Sequence, residues 1–360
     1  MMNFFEKEKK TALEAKEEAQ WIAFGPMLFQ AARVLRDSGI LQAVEDSRED
    51  GLTECEVLEK VSLSAYGVRV LLEAGLGINL LTFQNGKYRV TKTGYFILKD
   101  ELTRVNMDFM HDVCYQGAFF LDKSIEKGKP EGLKVFGDWS TLYEGLSKLP
   151  TKVQESWFNF DHFYSDNAFP EALPVVFENK PKRLLDIGGN TGKWAAQCLA
   201  YDNDVNVTLM DLPGQLDMAK KKLDDLGFTD RVSYHTCDLL DEKQPFAKGF
   251  DVIWMSQFLD CFSDEQIVSI LSRCHAALNE NGSVYIMETF WDRQRFKSSA
   301  FSLQQTSLYF TTMANGNSQM YHSEVFNKAV TQANFTVINQ IDLGISHTLL
   351  HCKPCKSANN

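Results

Sequence analysis

The sequence predicts an α/β protein in two parts. A helical amino-terminal domain closes on a hairpin, and a mostly parallel sheet with helices on both faces follows. Three observations carry this. From Lys182 onward, short β-rich runs alternate with helical ones, the pattern of strand–helix–strand crossovers. Before that point apolar residues recur at helical spacing, and an Asn-Gly pair marks a tight turn. Finally, 360 residues that are 44% hydrophobic and 24% charged amount to about two ordinary folded domains, not a disordered or fibrous chain.

Taken in order, residues 11–46 place Trp21, Phe24, Leu28, Ala31, Leu35, Ile40, Leu41 and Val44 at helical repeats. Thr53 is a capping candidate ahead of a helix expected over 57–61, and Ser64 caps one running to Leu76. Leu80–Phe83, Asn85-Gly86 and Tyr88–Thr91 read as a hairpin, because Asn-Gly adopts the positive φ angles of a tight turn. Helices followed by a hairpin make a winged helix, an arrangement that often enters DNA. Here the helix that would enter the groove carries Arg69 as its only cation, offset by Glu73, and the net charge is −11. Each phosphate contact wants a Lys or Arg. The charge therefore argues against nucleic acid and for a packing or dimerisation role.

Residues 101–180 read as helical and rich in aromatics. Beyond them strands are expected over 183–187, 205–210, 232–235, 250–255 and 283–287, with helices over 214–226 and 264–278. Two last strands, 335–341 and 347–352, have only Asp342–Ser346 between them. That is too short for a crossover helix, so they should pair antiparallel. The expected boundaries are 1–105, 106–180 and 181–356. No run approaches the ~18 apolar residues of a membrane helix, and the charged start has no apolar signal-peptide core. Eight scattered cysteines do not make a disulfide framework, which points to reduced thiols in the cytoplasm. His351, Cys352 and Cys355 lack a second cluster to complete four ligands, so no metal is expected.

The chemistry sits where the strand Arg183–Ile187 runs into Gly188-Gly189-Asn190-Thr191-Gly192, with a helix from Lys193. Glycines at a strand-to-helix turn let a ligand approach the backbone. A phosphate loop needs four residues between its first glycine and Gly-Lys, followed by Ser or Thr. Here three intervene and Trp194 follows. The dinucleotide fingerprint fails too, because Asn190 stands where its middle glycine should. What fits is Asp-x-Gly-x-x-x-Gly. Asp186 can accept from, or pair with, a cationic group over the loop, and S-adenosylmethionine (SAM) carries an ammonium and a sulfonium and no phosphate. Asp211, ending the next strand 23 residues beyond Gly188, stands where an acid grips ribose hydroxyls. Asp238 can take an adenine amino group, with Leu239 packing on the ring. Any one of these acids alone would read as a turn residue; three at successive strand ends beside a glycine loop make coincidence improbable.

Several motifs now resemble one family. They are Leu185-Asp-Ile-Gly-Gly-Asn-Thr-Gly192, Asp211-Leu-Pro213, Cys237-Asp-Leu239, Met255 to Glu265, Leu278-Asn-Glu-Asn-Gly282, Val284-Tyr-Ile-Met-Glu288 and, in the amino-terminal part, Tyr88 to Gly94. The chain is similar over most of its length to the SAM-dependent small-molecule O-methyltransferases of the caffeate, hydroxyindole and bacterial polyketide type. The resemblance implies a Rossmann-like class I methyltransferase sheet with a terminal antiparallel pair, a homodimer through the amino-terminal domain, and a small, aromatic acceptor. It implies cofactor contacts at Asp186, Gly188, Gly189, Asn190, Gly192, Asp211, Leu212, Asp238, Leu239, Ser256 and Gln257.

The resemblance also implies a catalytic histidine, and that position is Asp260. Of the two glutamates that bracket the histidine, Glu288 matches the first and Met320 stands at the second; a lysine often found beside the adenine is Ser256. An ordinary aspartate, with a pKa near 3.9, is a weak base toward a phenol near 10. Burial and a neighbouring like charge such as Glu288 would raise it. Three readings follow: Asp260 takes the base role, the acceptor arrives already ionised, or His322 or His162 supplies the base. The implied acceptor wall comprises Tyr115, Phe160, His162, Phe163, Phe301 and Tyr309, with His322 beside it. Three other functions remain open: methylation of nitrogen, carbon or carboxylate or non-methyl chemistry; a NAD-linked oxidoreductase; and a ligand-responsive DNA-binding regulator.

Overall fold

The computed structural model describes residues 4–165 and 168–355, apart from the side chains of His162, Tyr164 and Ser165. The chain divides into two compact units, Phe5–Asp112 and Val113 onward, so the helical stretch after 113 belongs with the sheet.

In the first unit, the run expected as helical over 11–46 is three helices: Ala12–Ala23, Gly25–Asp37 and Ile40–Asp46. The breaks have local causes. Pro26 has no amide to continue the preceding helix, and Gly39 takes a φ of 83°, which a Cβ disfavours. Thr53 and Glu56 cap each other reciprocally, so the next helix starts earlier than expected, at Glu54, and ends at Leu58. Ser64 accepts from the Gly67 amide at the start of Ala65–Gly77. Strands β1 (Leu81–Gln84) and β2 (Lys87–Val90) then pair antiparallel around Asn85 and Gly86, whose φ angles are 53° and 77°. Leu35, Ile40, Leu41, Val44, Val57, Val68 and Leu72 are fully buried and form the core of this unit. Arg69 is held by Glu54 at 3.1 Å, so its charge is already met.

The second unit is built on seven strands: β3 (Arg183–Ile187), β4 (Asn206–Asp211), β5 (Val232–Thr236), β6 (Phe250–Ser256), β7 (Leu278–Glu288), β8 (Phe335–Leu343) and β9 (His347–Pro354). Their order is β5-β4-β3-β6-β7-β9-β8, parallel from β5 to β7, with β9 antiparallel to both β7 and β8. β3 and β6 read as near-continuous apolar runs because helices cover both of their faces. β7 starts at Leu278, earlier than expected, because Phe250 pairs with Leu278 across an irregularity while Asn279–Asn281 stay exposed.

Alternate residues feed two apolar layers. Ile187, Ile253, Met255 and Ile286 pack on one face; Leu184, Leu209, Trp254 and Tyr285 pack on the other. In the second layer Trp194 stacks on Trp254, with ring centroids 3.8 Å apart and 14° between planes, which seats the helix Lys193–Tyr201 against the sheet. The tail is part of the sheet: His351 stacks on Tyr285 at 4.3 Å, and Cys352 is buried. No helix among the described residues is long and apolar enough to cross a membrane. The chain progresses outward in one direction from β3 to β5 and in the other from β6, and a cleft opens where such an order reverses.

Candidate active site

The carboxyl ends of β3, β4 and β6 meet at that reversal. β3 runs into Gly188 and Asn190, whose φ angles are 70° and 46°. A Cβ on Gly188 would lie 2.2 Å from the Phe258 ring, and one on Gly189 would lie 2.7 Å from Asp186 Oδ2. Both positions therefore need glycine for the backbone to pass. Asp211 locks the loop: its Oδ2 accepts from the Asn190 amide at 3.0 Å and its Oδ1 from the Leu212 amide at 2.7 Å. Asp186 beneath the loop is 2% exposed, and its Oδ2 meets no hydrogen-bond partner among the described residues. Burial, then the nearby charge of Asp211, push its carboxyl up to about 8.

A cavity of about 500 Å³ adjoins the loop, a size typical of small-molecule sites. Gly188, Asn190, Asp211, Leu212, Asp238, Leu239 and Gln257 line it from the strand ends. Gln257 sits at a φ of 43°, a left-handed turn at the end of β6. Helical segments contribute Trp157, Phe160, Tyr309 and Phe310, and the turn after β6 contributes Phe258, Asp260, Cys261 and Phe262. Carboxylates of Glu144, Asp161, Asp211, Asp238 and Asp260 line the cavity, and among the described residues no Lys or Arg does. That lining suits a cationic ligand without phosphates better than a dinucleotide.

Asp260 lies on a short helical turn, Leu259–Cys261, and is 6% exposed. Burial raises its pKa to about 7; the Cys261 thiol pulls it down and the negative charge of Asp161 pushes it up. Glu288, ending β7 at 2% exposure, accepts the backbone amides of Phe258 and Leu259 at 3.1 and 2.9 Å. Its own carboxyl is driven well above the usual range, by burial first and by Asp260 second. The two acids therefore hold protons at a pH where ordinary carboxylates are ionised.

Of the residues expected from the sequence, Gly188, Asn190, Asp211, Leu212, Asp238, Leu239, Gln257, Asp260, Phe160 and Tyr309 stand on the cavity wall. Asp186, Gly189 and Glu288 support it from beneath through the contacts above. Gly192 does not line it and instead opens the helix Lys193–Tyr201. Ser256 is also off the wall, its Oγ buried without a partner among the described residues. Tyr115, Phe163, Phe301 and His322, expected at the acceptor, are not on the wall either. Phe301 is 57% exposed. His322 caps the helix Ser323–Gln332, accepting from the Glu324 amide, and its ring meets Trp291 edge-on. The side chain of His162 lies outside the described residues.

The reading from sequence missed Tyr143, Trp157, Asp161 and Asn315, all on the wall, and the role of Cys261 beside Asp260. Asn315-Gly316 announces a turn, but nothing local says that Asn315 Nδ2 donates to the Cys261 carbonyl at 2.6 Å. Two features of the helix Lys297–Tyr309 were equally hidden: it widens into a π turn over Phe310–Ala314, and Tyr309 accepts from Trp157 Nε1 at 2.8 Å. Such widened turns often mark functional sites.

Compared with known proteins, residues 16–88 match a family model described as a dimerisation2-like domain, and residues 173–336 match the O-methyltransferase domain. The L-tyrosine C(3)-methyltransferase of Streptomyces lavendulae is 22% identical over 89% of this chain and 86% of its own. The 3-hydroxy-5-methyl-1-naphthoate 3-O-methyltransferase of Streptomyces sahachiroi is 22% identical over 75% and 76%. Among solved structures, the apo form of the SAM-dependent methyltransferase SibL superposes with a TM-score of 0.70 at 22% identity, covering 94% of this chain and 99% of that one.

Proposed function

As the chain belongs to the SAM-dependent small-molecule O-methyltransferases, with the dimerisation and methyltransferase domains in that order, we propose that it transfers a methyl group from SAM to an aromatic hydroxyl, with Asp260 in the place of the usual histidine. One observation carries the reading. A buried carboxyl, raised by its surroundings to about 7, stands on the wall of an aromatic-lined cavity that adjoins the glycine loop.

SAM, when bound, supplies an electrophilic methyl group on a sulfonium. Gly188 and Asn190 form the backbone cradle, Asp186 offers its buried carboxyl to positive charge, and Asp211, Asp238 and Leu239 are placed for ribose and adenine. Trp157, Phe160 and Tyr309 enclose a flat acceptor and exclude water. Asp260 takes the hydroxyl proton, and the aromatic wall holds the resulting oxygen anion where the methyl group of bound SAM would meet it in line. Alignment supplies much of the acceleration. A base whose pKa lies near the working pH supplies the rest. Glu288 holds the turn that carries Asp260. The Asp260→Asn variant should lose roughly 10²-fold or more in turnover while binding S-adenosylhomocysteine normally; near-normal turnover would assign the acceleration to alignment of an already ionised acceptor.

A second reading, methylation of an aromatic ring carbon, has its own support in a relative matched over 89% of this chain, whose name places methylation on carbon 3 of L-tyrosine. Carbon attack uses the same phenolate; Asp260 then returns its proton to the ring oxygen and accepts the displaced ring proton in its place. Product analysis by NMR separates an O-methyl ether from a ring methyl. Assembly as a homodimer through the amino-terminal domain is supported by the dimerisation2-like match, and light scattering should return twice the chain mass. The buried free thiols Cys114, Cys198, Cys237, Cys274 and Cys352 support a reducing, cytoplasmic setting.

A further inference from the structure

Three side chains stand in series at the cavity. Tyr143 Oη donates to Cys261 Sγ at 3.1 Å, and the Cys261 thiol donates to Asp260 Oδ1 at 3.5 Å. Asn315 Nδ2 fixes the backbone at the same point through the Cys261 carbonyl. The partners come from the helix Leu142–Gly145, the turn Leu259–Cys261 and the residue after the π turn, and all line the cavity. Sequence alone assigned neither Tyr143 nor Cys261 a role.

We propose that Cys261 and Tyr143 are positioning residues for the proton-accepting carboxylate: the phenol orients the thiol, and the thiol holds one oxygen of Asp260. The inference rests on the reading of Asp260 as the base. Sulfur in this place has a specific consequence. A thiol is a weak donor, so it orients the carboxylate without stabilising the ionised form as strongly as a hydroxyl would. Burial pushes both the Cys261 thiol and the Tyr143 phenol well up, so both stay protonated and remain donors across the working range. The bond that Cys261 accepts from Tyr143 also strengthens the one it donates. Among the described residues the other ionisable groups that face Asp260 are Glu288 at the end of β7, Asp161 on the helix Thr151–Ser165, and Tyr321, while Tyr309 on the helix Lys297–Tyr309 faces Cys261 and Asp161. Substitution at 143 or 261 leaves all of these in place.

The test needs no acceptor. In protein saturated with S-adenosylhomocysteine, the carboxylic-acid carbonyl band of Asp260 is identified by its loss in Asp260→Asn and followed by infrared titration. Cys261→Ala removes the donor and should raise the midpoint by about half a unit or more. Cys261→Ser supplies a stronger donor and should lower it. Tyr143→Phe should raise it by less than Cys261→Ala. A general loss of packing would move Ala and Ser in the same direction. Superimposed titrations for wild type and all three variants overturn the proposal and leave Asp260 as the base. Absence of any titrating band that disappears in Asp260→Asn would instead remove the base reading. S-adenosylhomocysteine affinity within about twofold of wild type verifies that each variant is folded; if Cys261→Ala fails this check, Cys261→Ser and Tyr143→Phe still predict shifts of opposite sign.

Discussion

Glu288 Oε1 accepts the Leu259 amide at 2.9 Å, so the last residue of β7 holds the turn that presents Asp260. The same oxygen accepts from Phe258, whose ring lies against Gly188. One buried carboxyl therefore ties the turn that carries Asp260 to the neighbourhood of the glycine loop.

Its replacements should separate two roles. Glu288→Gln keeps an oxygen for both amides and leaves in place the burial and the Asp161 charge that raise Asp260, so stability and the titration of Asp260 should both hold. Glu288→Ala leaves one buried and one part-buried amide unsatisfied and should cost about 2–6 kcal/mol at roughly 1–3 kcal/mol per group. Urea denaturation measures the second effect and the infrared titration the first.

Stability of the cofactor-free protein should fall as pH rises. Asp186, Asp260 and Glu288 all titrate higher when folded than the usual 3.9 to 4.3 of exposed carboxyls. A raised folded-state pKa means that the native state binds more protons than the unfolded one, so the contribution is complete below about pH 4 and is lost as pH climbs through the folded values. Over the window from about 4 to about 8, set above by Asp186, the urea midpoint should decline, and Asp186→Asn should flatten that decline. A midpoint that rises between pH 6 and 8.5 would contradict this.

Binding of SAM should release a proton between pH 6 and 8. Positive charge near Asp186 favours its ionised form, so the ligand and the proton compete. Calorimetry in buffers of different ionisation enthalpy should show the release, and Asp186→Asn should abolish it and weaken binding about tenfold or more. Uptake of a proton, or none exchanged by the wild type, would refute the assigned role.

Gly188→Ala should bind S-adenosylhomocysteine poorly. The left-handed φ costs roughly 1–2 kcal/mol for any residue with a Cβ, and the methyl group would collide with Phe258. Pairing it with Phe258→Ala should recover part of the loss, since the collision is then removed. No recovery in the double variant would place the defect in the backbone alone.

The glycine loop and its flanking acids were legible because their geometry is local. A glycine loop needs positive φ at specified positions, and Asp186, Asp211 and Asp238 sit at the ends of consecutive strands, so residues within a few positions encode where each one lies. Strand positions were legible for the same reason: β3 was bounded correctly, and β4, β5 and β6 lie within a residue or so of their expected ends. The breaks at Pro26 and Gly39 were visible as residues but were overridden by the apolar period that runs through them.

The far wall of the cavity is assembled by tertiary structure. Tyr143, Asp161, Asp260 and the pair Tyr309 and Asn315 come from four separate segments and share no spacing, since packing alone brings them to one wall. The sequence by itself determined that a SAM-binding sheet follows a helical domain, and its resemblance to a family implied a histidine at the position Asp260 holds. Whether that aspartate can serve as a base depended on how deeply it is buried and which charges and donors surround it. Those are properties of distance in space, which only the folded chain supplies.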